Sequence, residues 1–295
     1  MGTPVRRTHA IACIHAAYPE LRIERLRLND EGQNNDVLIV NDDLIFRFPR
    51  DEEGIEKLET EIALLGRLRP FVPLPIPEPI YASFAPRAVG QVFAGYRMLP
   101  GEPLWREAVA AMSDPAIVQR LVTQLATFLR ALHGIPTDQI ADVLPPTDWR
   151  RLWSDLEEQM RAALFPYVSP ATQERITATF AAFFDDPRNF TFTPTVIHGD
   201  FGTGNLLFDP YKGAMTGVID FGSATLGDPA NDVAALLTYG EPLVRQGVAA
   251  YPAMEAMLPR ARFYLRTFPL QDALYGVEHN DADALAEGIA RFMHE

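Results

Sequence analysis

Apolar and polar positions alternate along the first third of the chain and recur at helical spacing along most of the rest. Residues 8–18 suit a short helix stopped by Pro19. Residues 21–28 alternate with the period of a half-exposed strand, and residues 37–40 and 44–48 read as two more strands around the polar turns 29–35 and 41–43. Residues 52–69 place Ile55, Leu58, Ile62, Leu65 and Leu68 at three-four spacing, the mark of an amphipathic helix. Pro70 ends it, and Pro73, Pro75, Pro77 and Pro79 hold the next stretch extended. A strand pair follows over 80–84 and 91–98, and regular structure then breaks at 99–104.

Beyond that break the period changes to that of helices. Residues 117–133 carry Leu121, Leu125, Phe128, Leu129 and Leu132 on one face, with His133 expected as a helix-end residue beside Gly134. Helices are also predicted over 149–164 and 170–184, with Trp153 and Phe180 in the core. Two short strands, 206–208 and 217–220, are joined by a turn at 209–213. From residue 236 onward the chain is again helical, punctuated by Pro242, Pro252, Pro259 and Pro269.

A chain of 295 residues with 47% hydrophobic side chains can bury a large core, as one domain or two lobes. The formal net charge of -13 argues against a general nucleic-acid binder and suits a small cationic partner, although solubility alone accounts for it equally well. The lone cysteine, Cys13, excludes an internal disulfide and sits in an apolar run, so a buried structural thiol is expected. No stretch is long and apolar enough to span a membrane and no signal peptide is evident, so a cytoplasmic protein with no membrane partner is expected.

Chemistry concentrates between residues 196 and 222, VIHGDFGTGNLLFDPYKGAMTGVIDFG. His198-Gly199-Asp200 is followed by Asn205, and a strand-like run then ends in Asp220-Phe221-Gly222. Phosphoryl transfer needs a carboxylate that orients an attacking hydroxyl and takes its proton, and oxygen ligands that hold Mg²⁺ against a nucleotide's phosphates. Asp200 suits the first task; Asn205 and Asp220 suit the second, at the ends of two adjoining strands. The order of these segments is that of kinases. Hydrolysis at a metal held by His198 and Asp200 lacks a second histidine at ligand spacing.

With the segments 45–49, 74–79, 198–205, 220–222 and 228–232, the chain resembles the aminoglycoside phosphotransferase family, and within it the 2''-phosphotransferase branch, over nearly its whole length. The resemblance implies an α+β, protein-kinase-like bilobal fold: an N-terminal lobe (residues 1–97) with an antiparallel sheet and one main helix, a hinge (98–104), and a mostly helical C-terminal lobe (105–295) that carries the catalytic loop and the substrate site. It implies ATP or GTP as co-substrate with Mg²⁺. Arg47 stands where kinases carry a lysine, with Glu61 as its helical partner and Arg50 as a surface residue. Met98 and Leu99 would meet the purine through main-chain groups. Tyr96, counted back from Gly101, is the gatekeeper behind the base, and its bulk favours guanine. The loop over the phosphates, 29–35, holds a single glycine and should make few contacts. Asp228 and Asp232 support the structure around the catalytic loop.

The acceptor implied is a small cationic molecule, most simply an aminoglycoside, bound by Asp200 and by Glu241 and Glu278 on the C-terminal helices. A macrolide, a choline-like amine, homoserine or another metabolite would use the same core. The short span between Asp220-Phe221-Gly222 and Asp228 leaves no room for a protein kinase's activation segment, which argues against a protein substrate. A monomer is expected. A non-catalytic nucleotide-binding protein is the alternative of a different class, motivated by Arg47 and the glycine-poor loop.

Overall fold

The computed structural model describes residues 7–294 except 30–34. In chain order the elements are α1 (Arg7–Ala17), β1 (Leu26–Asn29), β2 (Asn35–Val40), β3 (Leu44–Pro49), α2 (Glu52–Leu68), β4 (Pro79–Ser83), β5 (Phe93–Arg97) and β6 (Glu102–Pro103). Then come α3 (Arg106–Ala110), α4 (Pro115–His133), α5 (Trp149–Leu164), α6 (Pro170–Phe184), β7 (Thr195–Ile197), β8 (Leu206–Asp209), β9 (Ala214–Val218) and β10 (Thr225–Gly227). The chain closes with α7 (Ala230–Leu237), α8 (Glu241–Gly247), α9 (Met254–His279) and α10 (Ala282–His294).

These elements form two compact units that interleave along the sequence. The first takes residues up to Leu104, Asp138–Leu144 and Gly204–Ala224; the second takes Trp105–Thr137, Pro145–Thr203 and Thr225 onward. The hairpin of Asn205 and Asp220 therefore groups with the N-terminal sheet, and His198-Gly199-Asp200 with the helices.

In the first unit an antiparallel sheet runs β1-β2-β3-β5-β4. Successive side chains on a strand point to opposite faces. Phe46 and Phe48 of β3 are buried in one cluster with Leu38 and Val40 of β2 and with Ala10 and Ile14 of α1. Arg47, between them, faces the other way, where it meets α2. Gly95 of β5 is opposite Phe46, and a Cβ there would lie 2.6 Å from the Phe46 ring, so only glycine lets the two strands pair. A second small sheet runs β6-β8-β9.

Three strand expectations shift. Residues 21–25 do not join β1, because the Asn41 side chain accepts the N–H groups of Glu24 and Arg25 at 2.8 and 3.1 Å and donates to the Arg22 carbonyl at 2.7 Å, replacing ladder bonds. β5 begins at Phe93 because the N–H groups of Gln91 and Val92 close a turn on Ala88. β9 ends at Val218 rather than at residue 220: Val218 N–H turns to the Pro75 carbonyl, and the backbone leaves the extended conformation at Asp220, φ 62°. The expected phosphate-covering loop lies mostly outside the described residues.

In the second unit, the predicted stripe of α4 is buried at Leu121, Leu125, Phe128, Leu129 and Leu132. α5, α6 and α9 meet through aromatic rings, with Phe183 stacked on Phe263 at 3.7 Å and Trp153 on Tyr264 at 4.8 Å. Trp153 and Phe180 are buried as expected. Pro259 and Pro269 do not break the C-terminal region into pieces: both lie inside α9, which packs along α7 and α10. Each proline removes one helical N–H, and tertiary packing outweighs that loss. No helix among the described residues is long and apolar enough to cross a membrane.

Candidate functional site

In the first unit, Glu61 shares the stripe of Leu58, Leu65 and Leu68 on α2 and is 2% exposed. A carboxylate on an apolar stripe needs a cation, and Arg47 supplies it: Nη1 donates to both Glu61 oxygens at 2.8 and 2.9 Å. Arg47 Nη2 reaches Asp220 Oδ1 at 3.5 Å. Burial opposes the Arg47 charge, but Glu61 and Asp220 outweigh it, and its pKa is raised. Burial pushes the Glu61 carboxyl up, opposed by Arg47 and by a hydrogen bond from the Phe221 backbone. The spacing 58-61-65-68 is the signal that separates Glu61 from its acidic neighbours on the helix.

Asp220 follows β9 in a left-handed conformation, φ 62°, and its side chain is half exposed. The bond from Ile219 N–H to the Asn205 carbonyl, 2.9 Å, holds the residue before Asp220 against Asn205, the other expected metal residue. A carboxylate and an amide oxygen are hard ligands of the kind Mg²⁺ takes together with phosphate oxygens and water, so the donor set fits that ion.

Tyr96 is buried beside this cluster. Its hydroxyl has no hydrogen-bond partner of normal geometry, and burial with the Glu61 charge raises its pKa. Met98 is exposed, but its N–H already donates to the Asp43 carbonyl at 2.8 Å, so of its two main-chain groups only the carbonyl is left to meet a purine. Leu99 packs where a Cβ on Gly217 would lie, 2.7 Å from its Cδ1. Arg50 is not a simple surface residue, since Nε pairs with the buried Asp36 at 2.7 Å.

In the second unit, β7 pairs with β10 and delivers the chain to His198-Gly199-Asp200. The buried Asp232 of α7 accepts the N–H groups of His198 and Gly199 at 2.8 and 2.9 Å. Gly199 has φ 81°, which turns the loop at that point. His198 and Phe201 are fully buried and Phe201 stacks on Phe128 at 5.7 Å, while Asp200 between them is exposed. The loop is thus anchored on both sides of a solvent-facing carboxylate. His133, expected as a helix-end residue, is buried and donates from Nε2 to Asp232 at 3.0 Å, with Tyr251 Oη at 3.2 Å from Nδ1. Asp228 caps α7 at Ala230 N–H and is clamped by Arg260 and by the Tyr264 hydroxyl at 2.9 Å.

Glu241 is held by two arginines, Arg262 and Arg245, each at 2.7 Å, and they lower its pKa to about 2. Its charge is largely matched within the protein, which weakens it as a ligand for a cationic acceptor. Glu278 is exposed on α9. Cys13, expected as a buried structural thiol, is half-buried, and its Sγ contacts the Gly90 carbonyl at 3.6 Å.

The model of the phosphotransferase enzyme family designated APH matches residues 25–264. A viomycin phosphotransferase of Streptomyces vinaceus is 30% identical over 198 residues, which cover 66% of this chain and 67% of that protein. The GDP and kanamycin complex of APH(2")-IIIa superposes with a TM-score of 0.90 at 28% identity, covering 98% of both chains. A macrolide 2'-phosphotransferase type I shares the fold, with a TM-score of 0.74 at 24% identity over 98% of each chain.

Proposed function

Because the chain belongs to the phosphotransferase enzyme family, with the kinase-like fold of that family, we propose that it transfers the γ-phosphate of GTP or ATP to a hydroxyl of a cationic antibiotic, most simply an aminoglycoside. The observation that carries the reading is the Arg47–Glu61–Asp220 cluster, built beside the hairpin of Asn205, in a chain that also anchors an exposed Asp200 through Asp232.

Asp200 orients the acceptor hydroxyl and accepts its proton as the oxygen attacks phosphorus. Asn205 and Asp220 would hold Mg²⁺, which when bound neutralises charge on the phosphates. Arg47 spends Nη1 on Glu61, whereas its Nη2 contact to Asp220 is long, so Nη2 is the donor a phosphate oxygen can claim. Glu61 fixes the guanidinium so that this donor is aimed before the nucleotide arrives. Of the two acids expected to bind the acceptor beside Asp200, Glu278 keeps that role better than Glu241.

The test is nucleotide consumption with GTP and with ATP across kanamycin, gentamicin, viomycin, a macrolide and simple alcohols. Viomycin is included because of the similarity to a viomycin phosphotransferase. Turnover with kanamycin or gentamicin supports the reading. Turnover with viomycin, the macrolide or an alcohol alone moves the acceptor class and keeps the chemistry. No turnover together with tight Mg²⁺-nucleotide binding supports a non-catalytic nucleotide-binding protein instead.

A further inference from the structure

Arg67, in the last turn of α2, makes a three-bonded contact with a segment more than seventy residues away in sequence. Nη1 and Nη2 donate to the two oxygens of Asp142, both at 2.6 Å, and Nη1 also donates to the Gln139 carbonyl at 2.7 Å. Residues 138–144, Arg67 and the Arg47–Glu61 cluster all belong to the first unit.

From this geometry we infer that Arg67 and Asp142 are a positioning pair: they fix the tilt of α2, and through Glu61 the pose of Arg47. The inference rests on the phosphate-binding role proposed above for Arg47.

The segment that receives Arg67 is itself well fixed. Ile140 and Leu144 are buried, and the N–H groups of Val143 and Leu144 close on the Ile140 carbonyl at 2.9 and 2.8 Å. The apolar stripe that ends in Leu64, Leu65 and Leu68 buries this end of α2, but the other polar ties of the helix do not replace this one. Asp51 caps the first turn at Gly54 N–H, and Arg87 pairs with Glu52 and Glu59, all towards the N-terminal half. Arg69 pairs with Glu78, a local contact nine residues on along the chain. Only Arg67 ties the C-terminal end of α2, among these ion pairs, to a distant part of the sequence.

Glu61 lies about 9 Å along the helix from Arg67, at about 1.5 Å per residue. A charge-assisted hydrogen bond weakens beyond about 3.2 Å. A tilt of a few degrees therefore carries Glu61 away from Arg47 without unfolding the helix. The pair itself is exposed, 41% at Arg67 and 63% at Asp142, so its direct share of stability is small. Its consequence belongs in the reaction rather than in the melting temperature.

The experiment compares wild type with Arg67→Ala, Asp142→Ala, the double variant and Arg67→Lys, using whichever nucleotide and acceptor the wild type turns over. Each alanine variant is expected to lower kcat/KM about 5- to 20-fold, with a melting temperature within about 2 °C of wild type. The double variant should be no worse than Arg67→Ala, and Arg67→Lys should recover part of the loss, keeping charge without the fork. Amide hydrogen exchange at residues 61–65 should quicken about tenfold in the alanine variants, with the sheet unchanged. Unchanged kcat/KM in an active enzyme, or losses that add in the double variant, overturn the inference and leave the proposed function standing. If the wild type turns over no acceptor, the proposed function fails on its own, and exchange at residues 61–65 still decides: unchanged rates there overturn the pair's positioning role.

Discussion

His133 Nε2 donates to the buried carboxylate of Asp232 at 3.0 Å, and the same carboxylate receives the backbone N–H groups that precede Asp200. Three donors converge on one side chain that water cannot reach. Asp232→Ala strands all three and should cost about 3–5 kcal/mol of unfolding free energy. His133→Leu removes the bonds to Asp232 and to the Tyr251 hydroxyl and should cost about 1–3 kcal/mol for each partner left unpaired. Urea denaturation measures both, and a loss below about 0.5 kcal/mol in Asp232→Ala would show that the loop holds its shape without it.

Asp200 is exposed and asparagine keeps the shape of its side chain, so Asp200→Asn should melt close to the wild type while its turnover falls at least about 100-fold. Nucleotide affinity should be retained, because the expected metal and phosphate ligands are untouched. Calorimetric titration with Mg²⁺-nucleotide beside steady-state rates checks both halves.

Arg47→Ala leaves the Glu61 carboxylate buried and unpaired, which should destabilise the protein by about 3–5 kcal/mol and suppress turnover. Arg47→Lys keeps a cation within reach of Glu61 and should restore part of each. Chemical denaturation and kcat/KM measured on the same preparations would tie the two effects together. Equal activity in the alanine variant and the wild type would remove Arg47 from the phosphate site.

The Tyr96 hydroxyl is buried without a partner of normal geometry, so Tyr96→Phe should be neutral or raise stability by up to about 1–2 kcal/mol. On the reading of Tyr96 as the gatekeeper, GTP should show the higher kcat/KM in the wild type. Tyr96→Ala should then improve the use of ATP, because the rigid ring no longer narrows the base pocket. A preference for ATP that is the same in both proteins would show that Tyr96 is not the gate.

Glu241 has its pKa depressed in the folded protein to about 2 by Arg262 and Arg245. A depressed folded-state pKa contributes stability above the unfolded value, and that contribution is lost as pH falls towards the folded one. Glu241→Gln should therefore melt about 1–2 °C below the wild type at pH 7, and the gap should close between about pH 4.5 and pH 2. Added salt should also narrow it. Melting curves of both proteins across pH and salt test this.

The sequence by itself determined the elements whose signals are local. The stripe of α4, the bounds of α5 and α6, and the spacing of His198-Gly199-Asp200, Asn205 and Asp220-Phe221-Gly222 depend on nearest neighbours along a helix or turn, and the chain spells these out. Even Glu61 carried its signal, a carboxylate in register with Leu58 and Leu65. Tertiary structure decided how donors and acceptors are shared out, because hydrogen bonds between distant segments leave no period in a sequence. It spent the Met98 N–H on Asp43 and matched Glu241 with two arginines. It turned Asn41 against residues 22–25, and it buried His133 against Asp232, ninety-nine residues away. It also let α9 run through two prolines, since packing against α7 and α10 outweighs the local preference to break.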